Sequence, residues 1–338
     1  MLQNVNLKLA ISVTIIVVAA LGVAKEIYKV PKPLLVFIGG MYLVCSAVFW
    51  GLQRKGKASA FAQLAIWLLS WSLVTSSILG VVYYFDRAGW LWFKLTGYNV
   101  TLAENLPDRL RWPVSDFVAR YPFFVRDSSD STRLIIRSGH YQVDETIVVP
   151  PGLVLIIAPG AVLQFGAGCS LISYSPIIAR GMENAPIVFT AQNKWRKWGV
   201  VGVVGAGQSI FEHVRFEHGR QALVNGIDFL GALSLIDSKT EVIQSRFTSL
   251  FGKDAAQVTG GQAFFRHNIF RDCFKDGLDF DGGTGEISHN RFEHCGDEAI
   301  DVGENSRVIV FGNVIIDAKD ASTKGGAKLS EKTLNTTN

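Results

Sequence analysis

The run His267-Asn268-Ile269-Phe270-Arg271-Asp272-Cys273 is echoed by His289-Asn290-Arg291-Phe292-Glu293-His294-Cys295, 22 residues further on. The same shift carries Leu278 onto Ile300, Asp279 onto Asp301 and Phe280 onto Val302, and it carries Asp254-Ala255-Ala256-Gln257-Val258 onto Asp276-Gly277-Leu278-Asp279-Phe280. Gly312-Asn313-Val314-Ile315 repeats the His-Asn-x-Phe position once more. Self-similarity at a fixed short period marks a solenoid whose repeats bury their apolar faces against their neighbours. A unit this short has no room for a helix pair, so it must be built from strands and turns, each strand pairing in parallel with its equivalent in the next coil. Equivalent residues then lie about 4.8 Å apart. Inward positions become apolar ladders, which accounts for the recurrence of Phe247, Phe270, Phe292 and Ile315. Asn268, Asn290 and Asn313 are expected to stack at a turn, because Asn tolerates left-handed backbone and its amide can hydrogen-bond along the stack.

Strand-like runs start well before the clear repeats. Leu134-Ile135-Ile136, Thr146-Ile147-Val148-Val149, Leu153-Val154-Leu155-Ile156-Ile157, Ala161-Val162-Leu163-Gln164-Phe165 and Pro186-Ile187-Val188-Phe189 are short, rich in β-branched residues and broken by Gly, Pro, Asn and Asp, the pattern of strands. No long helical pattern intervenes, which excludes a βαβ fold. The segment Asn268 to Asp317 resembles the PbH1-type repeats of right-handed parallel β-helix proteins. Ser138 to Ala191 resembles their opening coils through Gly139-His140-Tyr141, Pro150-Pro151-Gly152, Pro159-Gly160 and Ala185-Pro186-Ile187. The resemblance implies an all-β right-handed parallel β-helix. It carries no catalytic motif onto named positions, since this architecture hosts polysaccharide lyases, hydrolases, epimerases, adhesins and inert scaffolds.

The N-terminal quarter is different. Leu9 to Ala24, Pro33 to Leu52 and Ala58 to Phe85 are uncharged and hydrophobic, close to the roughly 20 residues a helix needs to cross the hydrocarbon core. Two further apolar stretches follow the first almost at once, and its Ala19-Ala20-Leu21-Gly22 region is a poor cleavage site, so a membrane region of about three helices is favoured over a signal peptide. Trp90, Trp92 and Phe93, beside Arg87 and Lys94, suit a segment at the headgroup level. The organisation expected is a transmembrane helical region 1–86, an interfacial segment and linker 87–131, the β-helix 132–317 and a polar, poorly ordered tail 318–338. Lys and Arg flank both sides of the three spans, so charge does not orient them; an extracytoplasmic β-domain follows from its class. The net charge of +4 comes from scattered residues, which excludes the clustered basic footprint of a nucleic-acid binder. The four cysteines form no CxxC pair, which excludes a zinc ribbon. Cys273 and Cys295, one coil apart, suit either a disulfide or a buried thiol pair.

The chemistry-bearing residues concentrate late in the chain: Asp276, Asp279, Asp281, Asp297, Glu298 and Asp301. Stacking places Asp279 and Asp301 on one ribbon, with neutral Gln257 a coil earlier. Two carboxylates one strand spacing apart repel, so at least one should titrate high. An acid/base pair or a calcium site uses such an arrangement, and glycosidases work through paired carboxylates. Turn chemistry is the other reading, since Asp caps local backbone. His213, His218, His267, His289 and His294 raise a metal reading, although His267 and His289 sit one repeat apart at a shared position. Lys194-Trp195-Arg196-Lys197-Trp198 reads as an exposed basic and aromatic loop suited to sugar rings or anionic headgroups. The function expected is a membrane-anchored β-helix that acts on or binds polysaccharide in the cell envelope. The alternative is a non-catalytic structural or interaction module of an envelope assembly. Expected partners are membrane lipid, polysaccharide, and an envelope protein or a second copy covering the open C-terminal coil, because the tail has little apolar surface.

Overall fold

The computed structural model describes residues 103–303 and 305–318, together with the strands Lys328–Leu329 and Asn335–Thr337. All of them belong to the second of the two units into which the chain divides, Ala88–Asn338. The three expected membrane spans and the Trp90 to Phe93 segment lie outside the described residues, among which no helix is long and apolar enough to cross a membrane.

The described chain is a parallel β-solenoid of about eight turns. Each coil contributes a strand to three sheets in turn. Among the described residues, sheet 1 has ten strands, from Val125–Arg126 and Arg133–Ile136 to Ser306–Phe311 and Lys328–Leu329. Sheet 2 has nine, from Gly139–Val143 to Asn335–Thr337, and sheet 3 has seven, from Ile147–Val149 to Ile300–Val302. Within these three sheets neighbouring strands run parallel except where Val125–Arg126 pairs antiparallel with Arg133–Ile136. Alternation along each strand sends one face inward, as the buried positions of Ala161, Leu163 and Phe165 show.

The register makes the repeat physical. Phe189, Phe216, Phe247, Phe270 and Phe292 occupy one inward column of sheet 2, completed by Ile315. Their rings stack face on, with centroids 4.5 Å apart for Phe247 and Phe270 and 4.6 Å for Phe270 and Phe292. The strand spacing sets this distance, and parallel in-register pairing stacks each ring on its own equivalent, while Phe216 and Phe270 also meet Phe211 and Phe265 of sheet 1 at a tilt.

At the corner between sheets 1 and 2 the asparagines form the expected ladder. Asn268 Nδ2 donates to Asn290 Oδ1 at 2.9 Å, and Asn290 Nδ2 donates to Asn313 Oδ1 at 3.0 Å. The same two oxygens also accept the backbone N–H groups of Asn268 and Asn290. The left-handed backbone, however, belongs to the preceding residue. Gln244, His267 and His289 have φ of 49°, 55° and 55°, and Gly312 takes the position at 65°. The strained residue turns the corner, and the asparagine, buried one step later, satisfies the amides that the turn removes from the sheets.

Two end segments depart from the sequence expectation. Within the stretch read as linker, helix α1 (Val114–Arg120) places Phe117 in the core with Tyr121 and Phe124. Arg120 pairs with Glu145 at 2.8 Å, tying the helix to the first coil. The tail, expected to be irregular, adds Lys328–Leu329 to sheet 1 beside Ser306–Phe311 and Asn335–Thr337 to sheet 2 beside Val314–Ile316. Sheet 3 receives no such strand among the described residues and ends at Ile300–Val302.

Candidate active site

The outward column at the centre of sheet 3 runs Val148, Ile172, Gly202, Ser234, Gln257, Asp279, Asp301. Its start is covered. The antiparallel hairpin Ala222–Val224 and Ile227–Phe229 lies over it, and Val148, Ile172, Val200, Ala222, Val224 and Phe229 form a second small core. Gly202 is required there, since a Cβ would lie 2.6 Å from the Phe229 ring. A pocket of about 280 Å³ opens at that end, lined by Tyr174, Arg109 and Asn225 among others. Beyond the hairpin the column becomes polar and then acidic.

Asp279 lies between Leu278 and Phe280, both in the core, so its own side chain faces outward. It is nonetheless buried. Lys253 Nζ lies 3.7 Å from its Oδ2, and its Oδ1 has no hydrogen-bond partner. Burial, with the charges of Asp281 and Asp301 adding to it and Lys253 opposing, pushes its carboxyl up to about 7. Asp301 pairs with it in register one strand on. Because it stands on the last strand of the sheet, Asp301 is only half-buried; burial and then the neighbouring Glu298 charge raise it to about 6. Asp276 opens the same strand as Asp279, accepts the backbone N–H of Glu298 at 2.9 Å and is also raised, chiefly by burial.

Of the residues singled out in the sequence, Asp276, Asp279 and Asp301 therefore meet within two coils. Asp281 is exposed at the end of its strand, and Asp297 lies in the turn before Glu298, 3.7 Å from Lys275 Nζ. Lys253 and Asp254 were missed. Asp254 is paired in register with Asp276 and fully buried, and neither of its carboxylate oxygens has a hydrogen-bond partner. Burial and the Asp279 charge raise it well above the usual carboxylate range despite the attraction of Lys253. The 22-residue shift already placed Asp254 on Asp276, and that alignment was the available signal.

This is the geometry of a parallel β-helix. A family model described as "Right handed beta helix region" matches residues 193–337. That span holds every acid just described and the whole of the asparagine ladder. No curated protein and no solved structure matches the chain.

The other candidates resolve as structure. His267 and His289 stack at 5.1 Å at their shared corner position, and His294 Nδ1 lies 3.2 Å from Asp272 Oδ1. Among the described residues no group of three or more His, Cys, Asp or Glu side chains is placed to hold a metal ion, calcium included. Cys273 and Cys295 are register partners and both free; the hydrogen bond between them, then burial, raises the Cys273 thiol. The Lys194 to Trp198 loop is not wholly exposed as expected. Trp198 is fully buried, stacks on Phe165 at 4.8 Å and donates its indole N–H to the Glu217 carbonyl at 2.7 Å.

Proposed function

We propose that this chain is a polysaccharide-handling β-helix held at a membrane by its N-terminal hydrophobic stretches, with the acidic end of sheet 3 as its reaction centre. The observation that carries the reading is the pair Asp279 and Asp301, stacked one strand apart with their carboxyls raised to about 7 and about 6. A group that holds a proton near neutral pH can donate it to a leaving glycosidic oxygen, and its ionised form can accept one. Asp301, half-buried on the edge strand, is the member that reaches a substrate. Asp279 lies beneath it and holds its proton to the higher pH, the Asp301 charge adding to burial in raising it, while Lys253 favours its ionised state. Such pairs share protons as a unit, so two macroscopic steps belong to the dyad.

The test is incubation of the purified full chain with polymers of neutral, amino and uronic sugars, followed for new reducing ends, unsaturated products or epimerised residues. Turnover that Asp301→Asn abolishes supports the reading; no change in any polymer sinks the catalytic part of it. One observation favours a second reading, a non-catalytic binding module. The pocket lies at the hairpin end of sheet 3, four strands away from Asp279 along the same column, and of the acids on the strands only Asp281 and Asp301 reach the surface. Glycan binding without turnover would select it. The membrane part is tested by fractionation: full-length chain that remains soluble after alkaline extraction of cell membranes argues against an integral anchor.

A further inference from the structure

The pocket at the hairpin end of sheet 3 is walled by two segments that the fold holds in place. One wall is the hairpin itself, whose two-residue turn Asn225-Gly226 has φ of 49° and 79°, the left-handed pair that such a turn demands. The other is the stretch from Leu106 to Leu110, which enters beside the hairpin through the parallel strand Ala103–Glu104. That stretch is tied down at both of its ends. Asn225 Oδ1 accepts the backbone N–H of Leu106 at 2.7 Å, and Arg109 Nη1 donates to the Tyr121 hydroxyl at 2.7 Å and to the Thr146 carbonyl at 3.2 Å. The floor is the start of the outward column of sheet 3, Val148 and Ile172. A pocket of about 280 Å³ with fixed walls can take a small ligand at little ordering cost.

The lining narrows the ligand. Its floor is aliphatic, and Leu110 adds an apolar side chain that is 38% exposed. Asp108 and Arg109 stand side by side with opposite charge, and each has a further opposite partner, Arg111 and Glu145, both at 3.8 Å. The pocket therefore has no net charge to offer. Three polar groups keep hydrogen-bonding capacity. The Tyr174 hydroxyl makes no hydrogen bond among the described residues. Asn225 uses its side-chain oxygen for Leu106 and its backbone N–H for the Glu104 carbonyl, which leaves its amide nitrogen unpaired among the described residues. Asp108 accepts from the backbone N–H of Leu110 with Oδ1 alone, so the carboxylate has lone pairs to spare. A phenol that donates and accepts, an amide donor and a carboxylate acceptor set around an aliphatic floor match a ring with C–H groups on its face and hydroxyls on its rim. An acidic sugar would bring an anion beside Asp108 with Arg109 already engaged, and an amino sugar would set its cation against Arg109.

We propose that this pocket binds one neutral sugar ring, its C–H face over Val148 and Ile172 and its hydroxyls on Tyr174, Asn225 and Asp108. The proposal rests on the polysaccharide reading and adds to it a binding site about 19 Å from Asp279, four strand spacings along the column. The experiment titrates the full chain, by saturation-transfer NMR, with glucose, galactose and mannose, each beside its uronate and its 2-amino counterpart. In at least one set the neutral member is expected to bind severalfold more tightly than both charged members. Tyr174→Phe removes only the hydroxyl, and Asn225→Asp keeps the acceptor for Leu106 while removing the amide donors; each should weaken binding about threefold to tenfold with the melting temperature unchanged. Binding that both variants leave intact lies elsewhere and overturns the assignment to this pocket. A uronate or amino sugar that binds as tightly as its neutral counterpart overturns the ligand class, and no binding in any set overturns the proposal altogether. Turnover at Asp301 is read separately by the polymer incubation, so the two readings fail independently.

Discussion

At the scale of single residues, Asp279 controls how the molecule responds to pH. In the folded chain its carboxyl holds a proton to about 7, against 3.8 as its ordinary value. Between those values the folded state binds more protons than the unfolded state, so its contribution is greatest below about pH 4 and is lost as the pH rises through 7. The slope for one such proton is at most about 1.4 kcal/mol per pH unit. Asp254, Asp276 and Asp301 are raised as well and act in the same direction. Asp279→Asn removes a buried group that must ionise with only the long contact to Lys253 to support its charge. It is expected to raise the melting temperature at pH 8, to flatten the fall between pH 5 and pH 8, and to abolish any turnover. Unchanged pH dependence in thermal melts would show that Asp279 does not carry the burden. The alignment of Asp279 with Asp301 was legible in the sequence because register in a parallel solenoid is sequence offset. The burial of Asp254 was not, because the offset names a residue's column and not what lies over it.

At the scale of strands and corners, identity and period together made the core readable. A phenylalanine returning every coil has one way to be buried, above and below its equivalents, and Phe270 and Phe292 stack with an interplanar angle of 9°. Phe292→Ala should destabilise the fold by about 3 to 5 kcal/mol in denaturant titrations, the range for deleting a buried aromatic ring. The corner asparagines give a second measure. Removing the Asn290 side chain takes away the acceptor for both the backbone N–H and the amide of buried Asn268, so Asn290→Ala should cost about 1 to 3 kcal/mol. A loss confined to a few tenths would mean that the ladder is ornamental. The left-handed residue was misplaced by one position because Asn fits that conformation in isolation. Here the ladder needs the asparagine side chain buried, and the turn passes to the residue before it. Helix α1 escaped notice for a different reason: seven residues after Pro113 carry too little periodicity to stand out, and it is the core packing of Phe117 that holds them. The hairpin over sheet 3 was detectable in principle, since Gly202 and Ser234 are 32 residues apart whereas Asp279 and Asp301 are 22 apart, and surplus length in a periodic chain must leave the solenoid as a loop.

At the scale of the whole solenoid, stability depends on what covers its ends, because a parallel strand with no neighbour is a template for pairing. Phe117, Tyr121 and Phe124 join the core at the first coil, and the two tail strands cover sheets 1 and 2 at the last. Deleting residues after Asp320 should expose Ser306–Phe311 and Val314–Ile316 and drive self-association, seen by light scattering as a rise in mass with concentration; a shortened chain that stays monodisperse would assign the tail no such role. The asparagine ladder has a further consequence. Every bond to an asparagine Oδ1 points the same way, from donors in one coil to the Oδ1 of the next, as Ser245 to Asn268, Asn268 to Asn290 and Asn290 to Asn313. The array therefore reads like a ruler with one sense of counting: a duplicated stretch of one full period can be spliced in and each new amide finds its acceptor, and the extra residue that makes the step from Asn290 to Asn313 one longer than that from Asn268 to Asn290 is taken up in the turn between sheets 3 and 1, leaving the columns in register. Each added copy of Gly277 to Glu298 would lengthen the column of Asp279 and Asp301 by one more aspartate and about 4.8 Å.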